Sequence, residues 1–194
     1  MSWKQKGKPN WKRKLTKQEK SNCEKIKTKL QKKKNQKSLT TSLLLELLQS
    51  TRNFIGVYAE DELKSITISS FPSLLVCNTD SHSLPGSHWI ALGIFRDTVE
   101  IFDPSGFRLF LLPRIPCHLL NFIHKLSVTR TVRISNRVQS NSSTMCGFYC
   151  MFYVLARTSL SLKKIQSFFS SRLARNDSIL KTLFYLYCLF IDFR

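Results

Sequence analysis

The sequence predicts an α+β domain with few strands, a helical flank and no internal repeat, preceded by a basic tail. Three observations lead there. Charge is partitioned: the 194 residues carry a formal net charge of +19, yet residues 1–38 alone hold 15 Lys/Arg against Glu19 and Glu24, a local +13, and the remaining 156 residues net only +6. After residue 38, short apolar runs of strand character alternate with longer helical ones. A hydrophobic share of 42% with 14 Phe is enough for a core and excludes wholesale disorder.

The elements follow in order. Residues 1–38 lack apolar periodicity, so they are expected to be a flexible tail, with the domain at 39–194. Thr40, Thr41 and Ser42 offer an N-cap for a short helix over LLLELLQS. FIGVYAEDELKSI has an apolar start and an acidic turn. FPSLLVCN (71–78) reads as a buried strand, and TDSHSLPGS (79–87) as a loop. HWIALGIF (88–95) and VEIFD (99–103) form an antiparallel hairpin. A helix starts at Pro116 and runs to Leu126, and TRTVRIS (129–135) alternates as a half-exposed strand. QSNSSTM (139–145) is a polar loop before CGFYCMFYVLAR (146–157), which is apolar on nearly every side and therefore a central buried helix. Two further helices are expected at 161–171 and 177–190.

Composition argues against several classes. The first apolar cluster, Leu43-Leu44-Leu45, follows the lysine-rich run and is too short for a signal peptide. The greasiest stretch, 179–191, is interrupted by Lys181 and falls short of the roughly 20 residues a membrane-spanning helix needs. Cys23, Cys77, Cys117, Cys146, Cys150 and Cys188 form no C-x-x-C pair, so reduced thiols in an intracellular protein are expected. His82, His88, His118 and His124 lack paired zinc spacing; Cys117-His118 near His124 comes nearest, and no metal is expected.

Chemistry concentrates at a few positions. His88 opens a buried strand directly before Trp89, and Asp103 closes its hairpin partner. Those two strand ends lie side by side, which brings imidazole and carboxylate within reach and lets the acid orient the ring and favour its protonated form. Cys146 begins a helix, where unsatisfied N–H groups and the positive end of the helix dipole stabilise a thiolate. Gly147 permits close approach. Gln139, seven residues upstream of Cys146, offers a neutral amide donor for a developing oxyanion, with the Cys146 N–H as the second. Singly, each residue has a bland structural explanation; the ordered set His-Trp, Asp-Pro, Gln and Cys-Gly is far more specific.

HWIALGIFRDTVEIFDPSGF (88–107) and VQSNSSTMCGFYCMFYVL (138–155) resemble the adenovirus-type cysteine endopeptidases. That family includes the proteases of Polinton/Maverick transposons and adintoviruses and is distantly related to the Ulp-type SUMO proteases. The resemblance covers roughly 53–157 and implies a papain-like, Ulp-type fold: a small mixed sheet, a central helix carrying the nucleophile, and flanking helices. It implies Cys146 as nucleophile, His88 as general base, Asp103 as the acid orienting His88, and Gln139 with the Cys146 amide as oxyanion hole. Trp89 would wall the site. The acid is Asp, as in Ulp-type relatives, where adenovirus enzymes have Glu. Those enzymes also take an activating peptide through a cysteine upstream of the catalytic Gln; this chain has no cysteine between Cys117 and Cys146, which puts that mode in question.

The expectation is a monomeric cysteine endopeptidase of viral or transposon origin that processes capsid precursors, working in the nucleus or the virion. No small-molecule cofactor or membrane partner is expected. DNA would be an activating polyanion held by the tail, where Lys12, Arg13, Lys14, Lys32, Lys33 and Lys34 meet phosphates and Trp3 and Trp11 stack on bases. Two alternatives stand beside it: a Ulp-type deconjugating protease for ubiquitin-like modifiers, and a non-catalytic nucleic-acid-binding protein using the same tail. The lysines also fit a solubilising or nuclear-addressing role.

Overall fold

The computed structural model describes residues 39–106 and 116–192, with backbone alone from 188 onward, and within the tail only Lys17, Ser21, Glu24, Lys25 and Thr28. The order is α1 (Thr41–Leu48), β1 (Phe54–Tyr58), a 3-10 turn (Glu60–Ser65), β2 (Ser73–Asn78), β3 (Trp89–Ile94) and β4 (Thr98–Phe102), then α2 (Cys117–Ser127) and β5 (Thr131–Ile134). The chain continues through α3 (Cys146–Arg157), α4 (Leu162–Gln166), a 3-10 turn (Leu173–Arg175) and α5 (Asn176–Asp192). The five strands form one mixed sheet in chain order. The outer pairs β1/β2 and β4/β5 are parallel, and the inner pairs are antiparallel.

Helices cover both faces of this sheet. Leu74, Val76, Ala91 and Phe102 point to one side and pack with α1, α3 and α5. Leu75, Cys77, Ile90, Leu92, Ile94, Val99 and Ile101 point to the other and pack with α2. Because alternate side chains meet apolar partners on both sides, β2 and β3 are buried at every residue. A strand covered on two faces has no polar side, so its sequence is continuously apolar. Thr40 caps α1, its hydroxyl accepting from the Leu43 N–H at 3.3 Å. Glu60, buried at the start of the first 3-10 turn, accepts from the His118 N–H at 2.9 Å and so caps α2.

One expectation is sharpened and two need correction. FIGVYAEDELKSI divides into strand β1 and a 3-10 turn, where the Glu62 carboxylate accepts from the Ala59 N–H at 2.6 Å. The half-exposed strand at 129–135 is Thr131–Ile134 and exposed throughout, because it is the sheet's outer edge. The helix expected over 161–171 stops at Gln166. There the buried Asn176 amide competes for the backbone: its Oδ1 accepts from the Ser170 N–H at 2.8 Å, and its Nδ2 donates to the carbonyls of Ser170 (2.9 Å) and Val138 (2.8 Å). In the tail, the five described residues are helical and Lys25 pairs with Glu46 of α1. Lysine is a good helix former, which apolar periodicity alone does not register.

Candidate active site

The β3–β4 hairpin sets the first pair. His88 immediately precedes β3 and Asp103 immediately follows β4, so the register that places Ala91 opposite Phe102 brings their side chains together. His88 Nε2 lies 2.8 Å from Asp103 Oδ1, with the carboxylate almost wholly buried. Asp103 is itself fixed from three directions. Its Oδ1 also accepts from the Ser105 N–H at 2.8 Å, in an Asx turn continued by the Gly106 N–H donating to the Asp103 carbonyl at 3.0 Å. Gly106 has φ +88°, a conformation that glycine adopts without a Cβ penalty. From β5's end, the Ser135 hydroxyl donates to the Asp103 carbonyl at 3.1 Å and accepts from its N–H at 3.0 Å.

With Nε2 engaged, Nδ1 is the nitrogen left to meet the thiol. Cys146 is the first residue of α3, and its sulfur is near enough to the His88 ring to help raise the imidazole's pKa. The same helix face continues along the sheet: one turn on, the Cys150 thiol donates to the Trp89 carbonyl at 3.2 Å. Trp89 and Gly147 adjoin the pair. The Trp89 indole N–H donates to the Leu39 carbonyl at 2.9 Å, and a Cβ on Gly147 would come within 3.1 Å of Leu39 and 3.2 Å of Trp89. A side chain at position 147 would therefore press on Leu39, where the chain enters the domain, and on Trp89.

Gln139 is in a different setting. It is buried in the loop before α3, and its Nε2 donates to the Ser143 carbonyl at 2.8 Å and to the Ser143 hydroxyl at 3.2 Å. So the structure brings His88, Asp103 and Cys146 together and ties Gln139 to the loop that launches α3.

The electrostatics follow from that grouping. Burial by itself would lower the His88 pKa, but hydrogen bonds to Asp103 and Cys146 and their charges outweigh it and raise it to about 9. The ring is thus an imidazolium at neutral pH, held between a carboxylate and a sulfur. Burial pushes the Cys77 and Cys150 thiols well up, so neither is poised as a nucleophile.

The other residues singled out by sequence lie elsewhere. His82 is at the surface, paired with Asp61 at 2.8 Å. His118 and His124 are exposed on α2, and among the described residues no group of three or more ligands could hold a metal. Trp3, Trp11, Lys12, Arg13, Lys14, Cys23, Lys32, Lys33 and Lys34 lie outside the described residues, as does the Cys188 side chain. No helix among the described residues is long and apolar enough to cross a membrane. Sequence reasoning missed Leu39, Ser135, Ser143 and Asp177. Only the Asp-Pro-Ser-Gly turn signal hinted at how Asp103 is held, and nothing signalled its clamp by Ser135.

The chain is 33% identical over 93 residues to a cysteine protease of African swine fever virus from a Malawi tick isolate, covering 42% of this chain and 32% of that protein. It is 29% identical over 131 residues to a protein of a South African tick isolate named as a SUMO-1 cysteine protease, covering 62% of this chain and 45% of that protein. The chain thus spans under half the length of these relatives. A family model, that of the adenovirus endoprotease, matches residues 54–170, a stretch that includes His88, Asp103, Gln139 and Cys146. By that match over more than half its length, the chain belongs to the adenovirus endoprotease family of cysteine peptidases.

Proposed function

We propose that the protein is a cysteine endopeptidase in which Cys146 is the nucleophile, His88 the acid–base, Asp103 its orienting carboxylate, and Gln139 with the Cys146 N–H the oxyanion hole. The observation that carries this reading is His88 between the Asp103 carboxylate and the Cys146 sulfur. The Cys146 thiolate attacks the scissile carbonyl carbon, forming a C–S bond and a tetrahedral oxyanion. His88 gives its proton to the leaving amine as the C–N bond breaks. Water then attacks the thioester; His88 takes its proton, the acid product leaves and the thiolate returns. Asp103 keeps Nε2 occupied, so that Nδ1 handles the proton. Substituting Cys146→Ala is expected to abolish both peptide cleavage and labelling of this site by a thiol-directed electrophile; undiminished cleavage would overturn the mechanism.

The natural substrates, on this reading, are capsid or virion precursor proteins of a virus or transposon. A second reading is a deconjugating protease for ubiquitin-like modifiers, favoured by the SUMO-1 name of one relative. Cutting of a ubiquitin-like fusion in preference to a capsid precursor would favour the second. The tail's +13 supports DNA as an accessory partner that localises or activates the enzyme. Loss of affinity and of salt dependence on deleting residues 1–38 is the expected result; unchanged affinity and slope would remove DNA from the account.

A further inference from the structure

The chain enters the domain beside the reactive pair, at Leu39. Thr40 is extended (φ −84°, ψ 159°) and caps α1, whose first backbone bond runs from the Leu44 N–H to the Thr40 carbonyl at 3.0 Å. The Leu39 carbonyl therefore lies outside the helix and is left for another donor. It receives the Trp89 indole N–H at 2.9 Å. Trp89 is 4% exposed, so that N–H is withdrawn from water, and losing its acceptor would leave a buried donor unpaired. The Leu39 side chain, equally buried, reaches Gly147: a Cβ there would stand 3.1 Å from Leu39 Cβ, 3.5 Å from Leu39 Cδ1 and 3.2 Å from Trp89 Cδ1.

These contacts converge on the covalent neighbours of His88 and Cys146, since Trp89 follows the one and Gly147 the other. Trp89 is tied to α3 at two points: its indole edge lies at Gly147, and its carbonyl accepts from the Cys150 thiol at 3.2 Å. Strand β3 pairs with β2 as far as Trp89, but with β4 only from Ala91 onward. At this end β3 is braced by the sheet on one side alone, and its distance from α3 is set by what packs between them. With no Cβ at Gly147 that group is the indole, and the Leu39 carbonyl and side chain together hold the indole in place.

We propose that Leu39 is a positioning residue for acyl transfer: by fixing the Trp89 indole against Gly147, it sets the spacing between His88, just before β3, and Cys146, at the start of α3. This rests on the protease reading above. Leu39 touches no reacting atom and acts through Trp89 and Gly147. A leucine before a helix cap ordinarily staples its own helix, here at the spacing of Leu44, and such a leucine would affect stability alone. One that sets the spacing also affects the imidazole, because Cys146 is among the groups that raise its pKa. It affects the rate as well, since a misplacement of about 1 Å between reacting groups can cost about 10²-fold.

The test uses the full-length chain and two readouts. One is hydrolysis of a peptide ending in Gly-Gly with a coumarin amide leaving group, and the other is titration of the His88 ring by NMR. Leu39→Ala keeps the carbonyl but removes the side chain that confines the indole. It is expected to lower the kcat of folded molecules by about 10- to 100-fold and to move the His88 titration down from about 9. Leu39→Met, of nearly equal volume, is expected to stay within about threefold of the parent. Trp89→Phe keeps a ring at Gly147 and loses the N–H that Leu39 holds; a fall of about tenfold in kcat, with the titration again moved down, is expected. Leu119→Ala deletes a fully buried leucine on the other face of the sheet. It is expected to cost stability, with the kcat of folded molecules within about twofold and the His88 titration unmoved. An unchanged kcat and titration in Leu39→Ala, or in Trp89→Phe where Leu39→Ala does not fold, would overturn the proposal while the protease reading stood, as would equal changes in Leu119→Ala. A parent chain that hydrolyses nothing would remove the protease reading, and this proposal with it.

Discussion

Helix α3 carries two charged clusters at opposite ends of one face, and they are built to opposite purposes. Cys146, Cys150, Tyr153 and Arg157 succeed one another along that face, over β3 and β4. At the far end, Glu100 of β4 is saturated: it accepts from Tyr153 at 2.9 Å and from Arg157 at 2.7 and 3.0 Å. Arg157 also donates to the Leu160 carbonyl at 2.9 Å and lies over the Phe95 ring at 4.2 Å. At the near end, His88 and Asp103 meet the helix at its first residue, and the sulfur there is still free to form a bond. Two buried ion clusters of similar composition thus differ in one respect. One closes on itself with a cation at the helix C-terminus; the other leaves the Cys146 sulfur, the nucleophile of the proposed mechanism, at the N-terminus, where the helix dipole favours negative charge.

The sharpest way to separate the two ends is to break each. Cys146→Ala should reduce hydrolysis by about 10⁴-fold or more and leave stability within about 1 kcal/mol, read by turnover and thermal melting. Asp103→Asn should lower kcat by about 10³–10⁴-fold by releasing the imidazole's orientation, and should move the His88 titration, followed by NMR, down from about 9. At the other end, Glu100→Ala leaves Arg157 without its buried partner. It should cost about 3–5 kcal/mol of stability, measured by denaturant unfolding, with the turnover of folded molecules nearly unchanged. Gln139→Ala removes one oxyanion donor and should lower kcat by about 10²-fold or somewhat more, with little change in KM.

The smallest effect is on pH. Because His88 has its pKa raised from 6.5 to about 9, the stability it contributes is complete below 6.5 and is lost as pH rises through about 9. Activity should fall over the same alkaline range, since the ring no longer carries the proton needed by the leaving amine. A pH–rate profile with its alkaline limb near 6.5 would show that Asp103 and Cys146 do not hold the imidazolium.

The near end was more legible in sequence than the far end, for a physical reason. His88-Trp89, Asp103-Pro104 and Cys146-Gly147 sit where strands and a helix begin or end, and element boundaries can be read from local pattern. The hairpin then brought two of them together through a short turn. What holds these groups is not local. Ser135 reaches Asp103 across 32 positions, Asp177 reaches Ser143 across 34, and Arg157 reaches Glu100 across 57. Single serines and aspartates at the ends of elements and in loops carry no periodic signal, so such pairings emerge only from the fold. The misjudged helix at 161–171 has the same origin, since a buried asparagine drawn from further along the chain ends it.

The central claim is that Cys146, activated at this one end of α3, carries the acyl group. Acid-quenching the full-length chain during hydrolysis of a Gly-Gly coumarin amide, followed by peptide mass spectrometry, tests it most directly. The account predicts a thioester adduct on Cys146, absent from Cys146→Ala. Continued turnover by Cys146→Ala, or an acyl group mapped to another cysteine, would contradict it.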